Sequence, residues 1–216
     1  MKKENRMTIK IMMIGEQAVG KSSITKRYTE QIFVTNIMGT AGLDMKQKIV
    51  NVFDENVNVI IYDSAGHERF RKITEVQYKG SDGLVLIYDT TDSKSFDWII
   101  EWIDKLKIDN IPNMEIILLG NKIDLDGRQI EKSHAQEISN KYNIKLLETS
   151  ALTGENVDEA FDHIIKNIYK SKSALLKKND DNENKTENAT DHNMVNGNKI
   201  KGDKNKNNNK FCCSIL

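Results

Sequence analysis

The residues with the plainest chemistry are Gly15-Glu16-Gln17-Ala18-Val19-Gly20-Lys21-Ser22, a G-x-x-x-x-G-K-S run. Glycines at both ends let the backbone wrap its N–H groups around a polyphosphate, and a helix starting there aims its positive end at the same anion. Lys21 can then reach the terminal phosphates, and Ser22 can bind Mg²⁺. Farther on, Asp63-Ser64-Ala65-Gly66 offers a carboxylate able to hold Mg²⁺ through water and a Gly66 N–H placed to meet a γ-phosphate. That short pattern is weak by itself. Asn121-Lys122-Ile123-Asp124 adds a base reader. The Asp124 carboxylate can accept from both N1–H and the exocyclic amine of guanine, which adenine cannot offer in that arrangement. A buried carboxylate left unpaired by the wrong base is costly, so this pattern selects guanine.

Those residues need elements to hold them. An apolar run, Ile9 to Ile14, leads into the first motif, and a helix-compatible run, Ser23 to Gln31, leads out. Strand and helix patterns alternate from Ile9 to about Ser171, which predicts a mostly parallel sheet with helices on both faces. Met45 to Phe53 and Val57 to Tyr62 flank Asp54-Glu55-Asn56, a hairpin signal that places one antiparallel strand at the sheet edge. Leu84 to Tyr88 and Ile116 to Leu119 are continuous apolar runs, as central strands buried on both faces require. Ligands bind at the carboxyl ends of such strands. There stand Asn121 to Asp124, after Leu119, and Thr149-Ser150-Ala151-Leu152, after the run Ile144 to Leu147.

At 216 residues, one sizeable α/β domain plus a tail is expected. Lysine and arginine number 32, as do aspartate and glutamate, so the net charge of zero argues against a general nucleic-acid binder. The charged start, Met1 to Arg6, precedes too short an apolar stretch for a signal peptide or membrane span, so the body is expected to face the cytosol. The only two cysteines, Cys212 and Cys213, are adjacent, which rules out a disulfide framework. From Ser173 to Lys210 the chain is rich in asparagine and lysine, without proline or aromatic residues. Such a segment buries too little surface to offset its ordering entropy, and residues 173–216 are expected to form a disordered tether. Within it, Lys199, Lys201, Lys204, Lys206 and Lys210 stand against only Asp203, a basic run able to attract anionic lipid.

In order over residues 9–172, these motifs resemble the Ras superfamily of small GTPases. Arg69-Phe70-Arg71-Lys72-Ile73-Thr74, Tyr78-Lys79-Gly80-Ser81-Asp82-Gly83 and Gly83-Leu84-Val85-Leu86-Ile87-Tyr88-Asp89-Thr90-Thr91 are similar to segments of its Rab members. The resemblance implies the small G domain of P-loop NTPases: a six-stranded, mostly parallel sheet with one antiparallel edge strand. It implies a GTP/GDP membrane-trafficking switch over residues 1–172. Nucleotide contacts would come from Gly15, Gln17, Ala18, Val19, Gly20, Lys21, Ser22, Ser23, Asp63, Gly66, Asn121, Lys122 and Asp124. Thr40 would be the switch threonine that joins Ser22 and Asp63 on Mg²⁺, and Phe33 the aromatic residue packing on guanine. Ser150, Ala151 and Leu152 would meet the base oxygen through their backbone, with leucine in place of the usual lysine. The end, Cys212-Cys213-Ser214-Ile215-Leu216, resembles double-cysteine tails that receive two geranylgeranyl groups, and Cys213 to Leu216 also fits a C-a-a-X signal. Two lipid chains give stable anchoring where one is marginal. The partners implied are an exchange factor, a GTPase-activating protein, an escort or GDP-dissociation-inhibitor type protein, effectors and a membrane. A monomer is expected on the cytoplasmic face of an intracellular membrane, with a cytosolic pool.

Departures from the family pattern concern its moving parts. His67 stands where the family has the glutamine that orients the attacking water, so with Lys21 and Thr40 as the other catalytic groups intrinsic hydrolysis is expected to be slow. Gln17 replaces a residue that is small in many superfamily members and would crowd the γ-phosphate region, but some Rab proteins carry glutamine there, so no defect is expected from it. The aromatic trio of the family's effector surface maps to Met45, Tyr62 and Gln77, none of which matches, so a different partner surface is expected. A GTP-locked membrane scaffold with negligible hydrolysis is the alternative reading. A phosphotransferase acting on a small molecule is disfavoured, because Asn121 to Asp124 specifies guanine and no extra lid segment lies between the motifs.

Overall fold

A computed structural model of the protein describes residues 6–35, 39–40, 42–67, 71–109 and 111–187. The chain runs β1 (Thr8–Ile14), α1 (Lys21–Glu30), β2 (Leu43–Val52), β3 (Glu55–Ser64), α2 (Arg71–Gln77), a 3₁₀ turn (Tyr78–Gly80), β4 (Gly83–Asp89), α3 (Ser93–Asp109), β5 (Glu115–Asn121), α4 (Lys132–Tyr142), β6 (Lys145–Thr149) and α5 (Val157–Glu187). The six strands form one sheet in the order β2-β3-β1-β4-β5-β6. Only the β2–β3 pairing is antiparallel, and β2 is an edge strand, as the hairpin signal predicts. The order reverses at β1, between β3 and β4, so the crevice at that switch point opens beside the loop after Ile14.

Period-two patterning places the core. Ile9, Ile11 and Met13 of β1 join Ile24 and Tyr28 of α1 and Phe161, Ile164 and Ile168 of α5 on one face. Met12 and Ile14 turn to the other face, with Phe96, Ile99 and Trp102 of α3 and Ala135 of α4. Every residue of β4 is buried, the continuous apolar reading of a central strand. Tyr28 stacks on Phe161 with ring centroids 3.9 Å apart, fastening α1 to α5.

Two expectations shift. The hairpin turns at Phe53 and Asp54, both with positive φ (48° and 66°), and Val52 pairs with Glu55. The tight two-residue turn needs that backbone at both positions, so Glu55 and Asn56, expected in the loop, begin β3. In addition, α5 continues to Glu187, so the segment expected to be disordered from Ser173 starts as helix. Ala174, Leu175, Leu176 and Lys177 are good helix formers without a proline, and extending a nucleated helix costs far less than starting one. The chain divides into two units, residues 1–176 and 177–216. The basic run from Lys199 to Lys210, Cys212, Cys213, Arg69 and Phe70 lie outside the described residues.

Candidate nucleotide-binding site

The loop from Gly15 to Gly20 leaves β1 and turns straight into α1. Ala18 (φ 66°) and Gly20 (φ 101°) take left-handed backbone, which curls the loop back on itself. At Gly20 no other residue fits, because a Cβ would strike the side-chain amide of Asn121. Among the described residues, Gly20 gives α1 no side-chain cap and no acidic residue sits in its first turn, so the first N–H groups of the helix are open to an anion. Lys21, only 5% exposed, donates to the Gly15 carbonyl at 2.9 Å and the Glu16 carbonyl at 2.8 Å. Burial lowers its ammonium to about 8, against the opposing pull of Asp63 and Glu16. A polyphosphate in the loop would add a direct anionic partner to the two carbonyls that hold this buried cation.

Three oxygens meet beside it. Ser22 Oγ lies 2.9 Å from Thr40 Oγ1 and donates to Asp63 Oδ2, and Thr40 Oγ1 is 3.5 Å from the same oxygen. Asp63 Oδ1 is buried without a hydrogen-bond partner, and burial raises the Asp63 carboxyl despite the hydrogen bonds from Ser22 and Thr40 and the Lys21 charge. A carboxylate with an orphaned oxygen and two hydroxyls is a hard oxygen set suited to Mg²⁺. Gly66 presses against the phosphate loop so closely that a Cβ there would lie 2.5 Å from backbone atoms of Glu16 and Gln17. His67 follows, half-buried. Gln17, Ala18, Gly20, Lys21, Ser22, Ser23, Phe33, Gly39, Thr40, Gly66 and His67 all line one cavity of about 540 Å³. Phe33 also packs against the core beneath it.

The residues expected to read the base form a second group, tied to the phosphate loop through the Asn121 side chain. Asn121, 1% exposed, donates from Nδ2 to the Val19 carbonyl at 2.8 Å and accepts at Oδ1 from the Ala151 N–H at 3.2 Å. Ser150 Oγ donates to Asp124, so the two segments expected to hold guanine are joined. Ala151 therefore already spends its N–H within the protein, while Leu152 is 48% exposed. Lys122 takes left-handed backbone (φ 68°) and its ammonium pairs with Asp89 at 2.5 Å. Burial alone would raise the Asp89 carboxyl, but hydrogen bonds from Lys122 and Thr91 together hold it below the usual range.

Sequence reading missed two supports. Arg27 on α1 donates to the carbonyls of Ala151 (2.9 Å) and Leu152 (2.6 Å), fixing the loop after β6 from the far end of the α1 helix. Asp89, ending β4, orients Lys122 and also accepts from Thr91 N–H and Oγ1 at 2.8 and 2.7 Å. An acidic residue closing a central strand was its only sequence signal. On the opposite side of β3, Met45 (56% exposed) stands directly across from Tyr62 in the register, and Tyr62 and Gln77 line one hollow of about 210 Å³. The three positions that depart from the family's aromatic trio are thus neighbours.

A glycine-rich anion loop at the switch point of a parallel sheet, with an Asn-x-x-Asp segment tied to it, defines the small G domain of P-loop NTPases. The Ras family model matches residues 10–170, and the chain belongs to the Ras family as a Rab-like small GTPase. It is 39% identical to the Ras-related protein Rab-8B of Homo sapiens over 160 residues, 74% of this chain and 77% of that one. To the GTP-binding protein ypt2 of Schizosaccharomyces pombe it is 39% identical over 165 residues (76% and 82%), and to Rab-13 of Bos taurus 36% over 172 residues (79% and 85%). No helix among the described residues is long and apolar enough to cross a membrane.

Proposed function

We propose that the protein is a slow GTP/GDP switch of membrane traffic, held on an intracellular membrane by lipid on Cys212 and Cys213. The observation that carries the nucleotide assignment is the convergence of Ser22, Thr40 and Asp63 beside buried Lys21, with Asn121 linking that centre to the Ser150–Asp124 pair. Lys21, the free N–H groups of α1 and the loop backbone bind the phosphates, and Asp124 and the 150–152 loop bind guanine. Ser22, Thr40 and Asp63 would hold Mg²⁺, which when bound neutralises charge on the β- and γ-phosphates. Thr40 and Gly66 lie on the segments that a γ-phosphate would order and its loss release. Hydrolysis itself is positioning and electrostatics. Neutral His67 carries its one donor and one acceptor on ring nitrogens that point apart, so it cannot present both to the water and a γ-phosphate oxygen from one edge as an amide does; intrinsic turnover is slow and an activating protein is needed to end the signal.

The exposed Met45, with Tyr62 and Gln77, forms the partner surface, whose altered chemistry selects effectors unlike those of relatives with an aromatic trio. The basic run and twin cysteines would give the membrane anchor two signals. Purified protein should bind GTP and GDP in preference to ATP and hydrolyse GTP slowly, and His67→Gln should hydrolyse it faster. A variant no faster than the parent would refute the role given to His67. Loss of membrane association in a Cys212→Ser/Cys213→Ser variant tests the anchor, and retention on membranes would dismiss it.

A further inference from the structure

The cavity that holds His67 also holds a primary amide from a different part of the chain, Gln17. We infer that Gln17 is the group that orients the attacking water in GTP hydrolysis, performing from the phosphate loop the task that His67 does poorly from the second switch. The inference rests on the GTPase reading above and adds a residue to its chemistry.

Position carries the argument. The backbone just before Gln17 is fixed, because Lys21 bonds the Gly15 and Glu16 carbonyls at 2.9 and 2.8 Å. On its other side Gly66 backs onto the Gln17 backbone N, with no room for a Cβ between them. Gln17 is therefore rooted beside Gly66 and His67. Its exposed side chain reaches across the cavity to Gly39, whose Cβ position would be 4.0 Å from Gln17 Nε2. Gly39 immediately precedes Thr40, which meets Ser22 at 2.9 Å. The amide thus spans the gap between the segments carrying Thr40 and Gly66, at the end of the cavity where a γ-phosphate would end.

A primary amide has what the step needs: an oxygen to accept a hydrogen bond from water and an NH₂ to donate to a phosphate oxygen. The water oxygen forms a bond to Pγ while the Pγ–O bond to the β-phosphate breaks, and the bonding pair leaves with GDP. The water proton passes to a γ-phosphate oxygen, giving inorganic phosphate. Gln17 gains and loses nothing; it aims the water. Among the described residues lining the cavity it is the one primary amide.

Crowding by the same side chain predicts the opposite sign, so one substitution decides. Full-length protein loaded with GTP and Mg²⁺ is followed through a single turnover for the parent, Gln17→Ala, Gln17→Glu, His67→Gln and Gln17→Ala/His67→Gln, with GTP and GDP dissociation measured alongside. Gln17→Ala should slow hydrolysis roughly tenfold, less than the roughly 10²–10³-fold that removing an aimed oxyanion-hole donor costs, because His67 remains. Dissociation rates should stay within about twofold, Gln17→Glu should not rescue, and in the His67→Gln background the loss should shrink to under about threefold because a second amide takes over. Hydrolysis by Gln17→Ala at or above the parent rate overturns the inference, as does a loss of the same size in the His67→Gln background. A parent that binds GTP but never hydrolyses it also overturns it. A parent that fails to bind GTP overturns the nucleotide reading itself, which keeps the two failures distinct.

Discussion

Replacing Asn121 with alanine should uncouple the base end of the site from the phosphate end, and its cost can be worked from the contacts. The side chain is 1% exposed and fills both of its roles unambiguously, since Nδ2 faces a carbonyl and Oδ1 faces an N–H. Alanine would leave the Val19 carbonyl without its donor and the Ala151 N–H without its acceptor, in residues 1% and 4% exposed. Each buried orphan costs about 1–3 kcal/mol, so the pair amounts to about 2–6 kcal/mol. The 3.4 Å contact from Thr149 Oγ1 adds little. Urea unfolding of nucleotide-free protein should show a lower midpoint with an unchanged slope, the sign of lost native contacts rather than an altered unfolded state. In a chain of this size the melting temperature should fall by roughly 2–4 °C per kcal/mol. Asn121→Asp keeps the acceptor for Ala151 but turns a second carboxylate oxygen on the Val19 carbonyl, so it should be no better than alanine. GDP release should accelerate in both variants. A loss in Asn121→Ala of under about 1 kcal/mol would refute the reasoning, because it would mean that Val19 and Ala151 find other partners at no cost.

The buried Lys21 gives a pH signature. Its folded value of about 8 lies below the ordinary 10.5, so below pH 8 it is charged in both folded and unfolded states and the full cost of burying the charge is present. Between pH 8 and 10.5 the unfolded state binds more protons and this group's contribution to stability rises, worth about 3 kcal/mol in all. Nucleotide-free Lys21→Met should lose that rise, so the stability gap between parent and variant should move in the parent's favour from pH 7.5 to 10; a constant gap would dismiss it. Arg27→Ala should cost about 1–3 kcal/mol through its charge-assisted hydrogen bonds to Ala151 and Leu152. It should also speed GDP release several-fold without changing the hydrolysis rate of bound GTP, and an unchanged release rate would contradict the loop-holding role.

What could be read from the sequence was local. The runs Ile9 to Ile14 and Leu84 to Tyr88 became β1 and β4 with a residue or two added at their ends, because apolar continuity marks a buried strand whatever its neighbours do. The phosphate loop, Asp63 to Gly66 and Asn121 to Asp124 were legible because each needs particular residues at fixed spacing along one stretch of backbone. The turn at Phe53 and Asp54 was not, since Asp54 tolerates positive φ but Phe53 is not a usual bearer of it, and the twist of β2 and β3 imposes it there. Arg27 and Asp89 escaped for a different reason. Arg27 meets its partners across a sequence separation of 124 residues, so only the docking of α1 beside the loop after β6 gives it a function.

These contacts divide the site mechanically. On the base side, Arg27, Asn121 and the Lys122–Asp89 pair tie the 150–152 loop, β4, β5 and the phosphate loop together through protein groups alone. The terminal-phosphate side is built otherwise. Thr40 reaches the loop through Ser22 and Asp63, and the oxygens that make this link are those a cation would draw away from one another. Gly66 meets Glu16 and Gln17 by close backbone approach, with no side chain of its own to hold it there. On the nucleotide assignment proposed above, a γ-phosphate would shift the Thr40 and Gly66 segments by its own differential contacts, while the base pocket would stay fixed and grip GTP and GDP alike. That asymmetry is what a switch requires: the nucleotide is retained through the cycle, and only the surface built on β2, β3 and α2 has a reason to change.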